Sequence, residues 1–294
     1  MVKRIVLTLL VLALLCPVCT TSADDAPALY SESAIAFSVN TGDVLYEKNA
    51  DEVRAPASLT KIVTTMVVLE TCTDLDGTLV TVPNASYFTD IYEVGGSNIA
   101  LEEGEVLTVR DLLYAVMLPS ACDACTVLAH HFGNGDVSAF VDKMNDWAKR
   151  AGALSTNFEN AHGLDENGHV STARDVSKLL FAALKNETFT EIIRTFEHVI
   201  PANDLHGKRY VSYNSTIPLL NPNISDYYPG LIGVKSGYTL NAKCCLSTLA
   251  KRGEETFLVI CMGAKRENGT KYARVDTNSL YDFLFATYET RTLK

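Results

Sequence analysis

The pattern of apolar and polar positions divides the chain into a short β-rich beginning, a long helical middle and a β-rich end. Ala34 to Val39 and Val44 to Glu47 read as two strands joined by the turn Asn40-Thr41-Gly42-Asp43. Ile62 to Leu69 is apolar and rich in β-branched residues, so periodicity alone leaves it open between a buried helix and a buried strand. From Thr73 to Glu105 the chain is polar, apart from short strand-like pieces such as Leu79 to Val82. Thr108 and Asp111 then make a capping box, predicting a helix whose stripe is Leu112, Leu113, Val116 and Met117. Pro119 to Asp123 breaks it. A second helix runs from Ala124 to Phe132 and is ended by Gly133 and Gly135; a third, amphipathic one spans Val137 to Arg150.

A turn-rich loop at Asn160 to Asp165 precedes a second capping box, Thr172 with Asp175, which opens a helix through Leu179, Leu180 and Leu184. Residues 201–230 lack periodicity and are rich in proline, which predicts a long connection. Leu231 to Tyr238, Cys244 to Ala250 and Thr256 to Met262 read as three consecutive strands, and Thr277 to Tyr288 as a closing helix. Lys251-Arg252-Gly253-Glu254 is the hairpin turn between the last two strands. This order is not a βαβ array. It predicts an α/β (α+β) architecture with an antiparallel sheet whose first strands pair with its last, and helices on both faces.

The length of 294 residues and a hydrophobic content of 47% are those of a globular protein with a sizeable core. Met1-Val2-Lys3-Arg4, the apolar stretch Ile5 to Leu15 and the small-residue end at Ala23 have the form of a secretory signal, too short in its apolar part to span a bilayer. The expectation is a signal peptide over 1–23 and a single domain over 24–294, exported and extracytoplasmic, with no transmembrane segment in the mature chain and no further C-terminal domain or anchor. Loss of Lys3 and Arg4 would make the formal charge of −10 more negative still, which argues against nucleic acid as a partner.

Six cysteines remain beyond the signal, and an even number in an exported chain invites a disulfide reading. Adjacent Cys244 and Cys245 would point to opposite faces of a strand, however, and Cys122 and Cys125 lie one turn apart on a helix. Buried small hydrophobes explain them as well. The Cys-x-x-Cys spacing of Cys122 and Cys125 could suggest metal or redox chemistry, but no second pair completes a zinc site and no thioredoxin-like βαβ pattern surrounds it. The six histidines have no spacing that suggests metal ligands, and His130-His131 falls at a helix end. The Asn-x-Ser/Thr sites at Asn214 and Asn268 are given no weight.

The candidate chemistry begins at Pro56-Ala57-Ser58-Leu59-Thr60-Lys61. If the following apolar run is a helix, Ser58 and Lys61 share a face one turn apart. A serine becomes a nucleophile when a base takes its proton, and a lysine can be that base when burial or a second cation lowers its pKa. Ser-x-x-Lys alone is weak, since a chain of this length offers about one match by chance. Two further pieces add what it lacks. Ser120 sits in the kink between two helices, where its hydroxyl could pass a proton. Lys235-Ser236-Gly237 lies in a strand, Gly237 permitting close approach of a substrate backbone and Lys235 providing the second cation.

In this order the chain resembles the penicillin-binding, serine-type D-Ala-D-Ala carboxypeptidases. Pro56 to Lys61 resembles that family's P-A-S-x-T-K, and His162-Gly163-Leu164-Asp165 with Ser171-Thr172-Ala173-Arg174-Asp175 its H-G-L-D and S-x-A-R-D stretch. Tyr228-Pro229-Gly230 through Thr239 resembles Y-P-G-x-x-G-x-K-[ST]-G-[YFH]-T. The resemblance implies a β-lactamase/transpeptidase-like sandwich with a five-stranded antiparallel sheet, and a peptidoglycan stem peptide ending in D-Ala-D-Ala as substrate. It implies that Ser58 forms an acyl-enzyme, Lys61 takes its proton and Ser120 relays a proton to the leaving D-Ala. Lys235, Ser236 and Thr239 would hold the terminal carboxylate, and the N–H groups of Ser58 and Tyr238 would form the oxyanion hole. No metal or organic cofactor is required, and β-lactams are expected to acylate Ser58.

Two departures stand out. Cys122 occupies the place where the family usually has Asn, and a thiol cannot replace an amide's several hydrogen bonds. The chain also stops just past its closing helix, where many relatives continue. A non-catalytic penicillin- or peptidoglycan-binding module and a D,D-endopeptidase therefore remain alternatives. A β-lactamase is weaker, because no counterpart of a deacylating glutamate motif is found.

Overall fold

The computed structural model describes residues 26–212, 223 and 227–288. The signal over 1–23, the site at Asn214 and the centre of the 201–230 connection lie outside the described residues. In chain order come β1 (Ser33–Ser38), β2 (Val44–Lys48), a 3-10 turn (Ala57–Thr60) and α1 (Lys61–Thr71). Next are β3 (Leu79–Thr81), α2 (Thr89–Glu93), β4 (Val106–Thr108), α3 (Val109–Met117), α4 (Cys122–Phe132), α5 (Val137–Arg150), α6 (Ala173–Ala183) and α7 (Glu187–Arg194). The chain continues with β5 (Glu197–Ile200), β6 (Arg209–Ser212), β7 (Leu231–Thr239), β8 (Lys243–Arg252) and β9 (Glu255–Ala264). Two short strands, β10 (Arg266–Glu267) and β11 (Thr270–Lys271), precede α8 (Tyr272–Tyr288).

The main sheet has the order β2-β1-β9-β8-β7 and is antiparallel throughout. The first strands do pair with the last, Ala34 lying opposite Cys261 and Ile35 opposite Ile260. Helices cover both faces. Tyr281 of α8 donates its hydroxyl to Thr248 Oγ1 at 2.8 Å on one side, while Ser247 and Leu249 look towards Ile62 of α1 and Phe189 and Ile193 of α7 on the other. Two covered faces explain why β8 and β9 read as continuous apolar runs with no alternation: both are buried along nearly their whole length.

The capping boxes formed as expected. Thr108 accepts from the N–H of Asp111 and Thr172 from that of Asp175, closing the first turns of α3 and α6. Asp175 also accepts from Ser155 N and Thr156 Oγ1, and Arg174 pairs with Asp51 and Glu47, so the Ser171 to Asp175 stretch holds the molecule together away from the chemistry. Differences from expectation are local. The stretch from Thr73 to Glu105 contains α2, α7 follows α6 directly, β6 lies inside the supposed connection and pairs with β5 just ahead of it, and α8 starts five residues early. The apolar run after Lys61 is a helix, buried on nearly all sides in its first eight residues, which is why it shows little periodicity. All six described cysteines are buried thiols without a disulfide partner.

Candidate active site

Ser58 lies in the 3-10 turn that precedes α1, one step earlier than the helical first turn expected, and Lys61 is the first residue of the helix itself. In a 3-10 turn residues three apart eclipse one another. The consequence is direct: Lys61 Nζ donates to Ser58 Oγ at 2.9 Å. The same nitrogen donates to the carbonyl of His162 at 2.5 Å and to Cys122 Sγ at 3.4 Å. Lys61 has 0% of its surface exposed, whereas Ser58 is half-buried and reachable from the cleft.

The turn is seated by two glycines. A Cβ on Gly163 would stand 2.0 Å from the carbonyl oxygen of Ala57, and one on Gly237 would stand 2.7 Å from Ser58 N. Both positions accept only hydrogen there. Between them Ala57 takes a left-handed φ of 48°, an uncommon conformation for a residue with a Cβ and a typical one for a functional turn.

Ser120 occupies the break between α3 and α4, as expected, with a left-handed φ of 65°. Its Oγ accepts from Lys235 Nζ at 2.9 Å, and the same nitrogen donates to the carbonyl of Ser236 at 2.8 Å. Lys235 is 2% exposed and is no surface lysine. Burial first, and the charge of Lys61 second, bring its pKa down to about 7. Lys235 is fully enclosed and finds no salt-bridge partner among the described residues. Among the described residues neither amine has a carboxylate partner, which leaves their surroundings basic in a protein of formal charge −10 and suits an anionic ligand group.

The remaining residues expected at the site divide. Cys122 is buried at the start of α4, so the thiol stands where the amide was expected, accepting from Lys61 Nζ and donating to the Ser120 carbonyl at 3.9 Å. Ser236 and Gly237 lie in β7, an edge strand of the sheet. Tyr238 is half exposed, with the Arg266 guanidinium over its ring. Thr239 differs from expectation. Its hydroxyl donates to Asp165 Oδ1 at 2.5 Å and accepts from Ala242 N at 3.0 Å, so it ties β7 to the loop of Asp165 and has no proton left for a carboxylate.

Several supporting residues carry no sequence signal. Asp123 is fully buried and accepts from the N–H groups of Ile99, Leu101 and Ala124, which holds the 97–101 loop over the Ser120 turn; burial pushes its carboxyl up from the usual range. Cys122 N donates to the Ser97 carbonyl at 2.6 Å in the same contact. Glu105 and Arg209 form a buried ion pair that anchors the β5–β6 hairpin below that loop. His169 lies behind the Ala57–Thr60 turn, with Nε2 2.8 Å from Thr60 Oγ1. Burial and Lys61 lower its pKa to about 4 and that of half-buried His162 to about 3. No group of His, Cys, Asp and Glu able to hold a metal occurs among the described residues.

Comparison with known proteins agrees with this geometry. A family model for D-alanyl-D-alanine carboxypeptidases, peptidase family S11, matches residues 20–266. The D-alanyl-D-alanine carboxypeptidase DacF of Bacillus subtilis is 35% identical over 264 residues, covering 90% of this chain, which spans 64% of that protein's length. A D-alanyl-D-alanine carboxypeptidase of Streptomyces strain K15 is 35% identical over 240 residues, 79% of this chain and 80% of that protein. Among solved structures, the Streptomyces K15 DD-transpeptidase superimposes with a TM-score of 0.78 at 32% identity, covering 89% of this chain and 99% of that one. A penicillin-binding protein homologue from Mycobacterium tuberculosis gives a TM-score of 0.79 at 28% identity, over 90% of this chain and 95% of that one. With Lys61 bonded to Ser58, Lys235 bonded to Ser120 and the two amines close enough to act on each other, on that fold, this chain belongs to the D-alanyl-D-alanine carboxypeptidase family.

Proposed function

We propose that the protein is a serine-type D-Ala-D-Ala carboxypeptidase that removes the terminal D-alanine from peptidoglycan stem peptides. The contact carrying this reading is Lys61 Nζ to Ser58 Oγ, at 2.9 Å inside a buried basic pocket. Ser58 Oγ attacks the carbonyl of the penultimate D-alanine while Lys61 takes its proton. The developing oxyanion is met by the N–H groups of Ser58 and Tyr238. Ser120, held by Lys235, passes a proton to the departing amine. Lys235 and Ser236 hold the terminal carboxylate; Thr239, bound to Asp165, serves by fixing the end of β7. Water then cleaves the acyl-enzyme and regenerates Ser58. In the same reading β-lactams acylate Ser58, residues 24–294 form a single catalytic domain, and the signal over 1–23 directs it out of the cytoplasm.

Two other outcomes of the same acyl-enzyme have specific support. The K15 neighbour is named a DD-transpeptidase, in which an amine replaces water as acceptor. Cys122, which offers Lys61 a sulfur where an amide is usual, favours a module that acylates without turning over. Release of D-Ala from diacetyl-Lys-D-Ala-D-Ala, with and without an added amine acceptor, separates the three. D-Ala release above a Ser58→Ala control with the shortened free acid as product supports the carboxypeptidase, release with the acyl group transferred to the added amine marks a transpeptidase, and penicillin labelling without release leaves the binding module; cleavage of cross-linked muropeptides would mark an endopeptidase.

A further inference from the structure

We propose that His169 is a positioning residue that sets the direction of the Ser58 N–H through Thr60; this rests on the reading of Ser58 as nucleophile and oxyanion donor. The geometry is a relay of hydrogen bonds with one consistent assignment of protons. Glu159 N donates to His169 Nδ1 at 3.0 Å, so the ring proton resides on Nε2. Nε2 is 2.8 Å from Thr60 Oγ1 and therefore donates to it, which leaves the threonine hydroxyl proton to point elsewhere. It points at the carbonyl of Ala57, also at 2.8 Å.

That carbonyl belongs to the same planar peptide unit as Ser58 N–H. In a trans peptide the two groups point in opposite directions, so whatever fixes the oxygen fixes the N–H. The plane has reason to need holding. Ala57 has a left-handed φ of 48°, and its oxygen is crowded by the Cα of Gly163 on one side while Gly237 of β7 crowds Ser58 N on the other. Sterics centre the peptide between the two glycines, and the His169–Thr60 relay selects the orientation that aims the N–H at the cleft. His169 is 2% exposed and packs against Phe158 at a ring separation of 5.5 Å, so the relay is shielded from competing water. The imidazole does not reach the reacting atoms. Its effect belongs to the transition state, in which the oxyanion draws on the Ser58 N–H more strongly than the ground-state carbonyl does.

The test uses kcat and KM for D-Ala release, together with the rate of acylation by a labelled penicillin. His169→Leu keeps an apolar filler and removes both nitrogens; it should lower kcat and the acylation rate about tenfold while KM stays within about twofold. His169→Gln restores one donor and one acceptor and should recover most of the loss. Thr60→Val should match His169→Leu, and the double variant should be no worse than Thr60→Val alone. Unchanged kcat in Thr60→Val, a loss confined to KM, equal defects in the Gln and Leu variants, or losses that multiply in the double variant would each overturn the proposal. Thr60→Val and His169→Gln decide the matter even if His169→Leu fails to fold. Ser58→Ala separates the two levels: D-Ala release that survives it removes the nucleophile assignment itself, whereas a dead Ser58→Ala beside a fully active Thr60→Val removes only the role of His169.

Discussion

Lys61 Nζ stands 2.9 Å from Ser58 Oγ because a 3-10 turn, not an α-helical one, carries the pair. A base at that distance must be able to lose its proton, and charge alone does not suffice. Lys61→Arg keeps the positive charge but substitutes a group that stays protonated in proteins. The expected result is a fall in penicillin acylation of about 10² to 10⁴-fold with the fold intact. Acylation within a few-fold of the parent, measured with a fluorescent penicillin, would remove Lys61 as the base.

Lys235 gives a pH signature whose sign can be worked out. Its folded pKa is about 7 against an ordinary value of 10.5. Between those values the unfolded chain holds the proton and the folded protein does not, so this group makes stability rise with pH across the window; below about 7 the buried ammonium destabilises the fold fully. Lys235→Met should therefore unfold at a higher temperature than the parent near about pH 6, with the gap closing towards about pH 10. Parallel Tm curves for the two proteins would show that the amine is not desolvated as described.

Gly237 is where β7 meets the nucleophile. In Gly237→Ala the new methyl would lie 2.7 Å from Ser58 N and 2.8 Å from Ala57 Cβ. Strand and turn must separate, which misplaces one oxyanion donor; a loss in kcat/KM on the order of 10²-fold is expected, with little change in Tm. Parental activity would mean that the edge strand yields without cost.

Glu105 and Arg209 make a different kind of contribution. Their side chains are 0% and 7% exposed, so Arg209→Leu leaves an unpaired carboxylate in the interior. Destabilisation of about 3 to 5 kcal/mol is expected in urea unfolding, larger than for the double replacement by apolar residues of similar volume. A double variant less stable than Arg209→Leu would contradict this.

What could be read from the sequence follows the range of the interactions. The hairpin turn at Gly253, the capping boxes at Thr108 and Thr172 and the amphipathic stripe of α5 are local, and each formed where its residues stand. Ser58, Lys61, Ser120 and Lys235 could be grouped because motif order preserves what spacing conceals. His169, Asp123 and the Glu105–Arg209 pair could not be found this way: their partners lie up to 109 residues away and their types are ordinary for a polar loop. The bond from Thr239 to Asp165 was hidden for a related reason, since that carboxylate approaches from a separate loop. The helix α7 did carry a signal, with Asn186 as cap and Phe189, Ile192 and Ile193 at helical spacing, but eight residues give periodicity little to work on.

The place of β1 between β2 and β9 has a consequence for how the protein matures. Gly237 of β7, which packs against the turn of Ser58, follows that serine by 179 residues, so an N-terminal fragment that ends before β7 lacks Lys235 and cannot assemble the pair of amines. Such distant pairings are slow to find. Catalytic competence should thus be gained in one late event, together with cooperative folding, and a protease that cuts the β8–β9 hairpin before that moment would silence the enzyme without touching a single group that performs the chemistry.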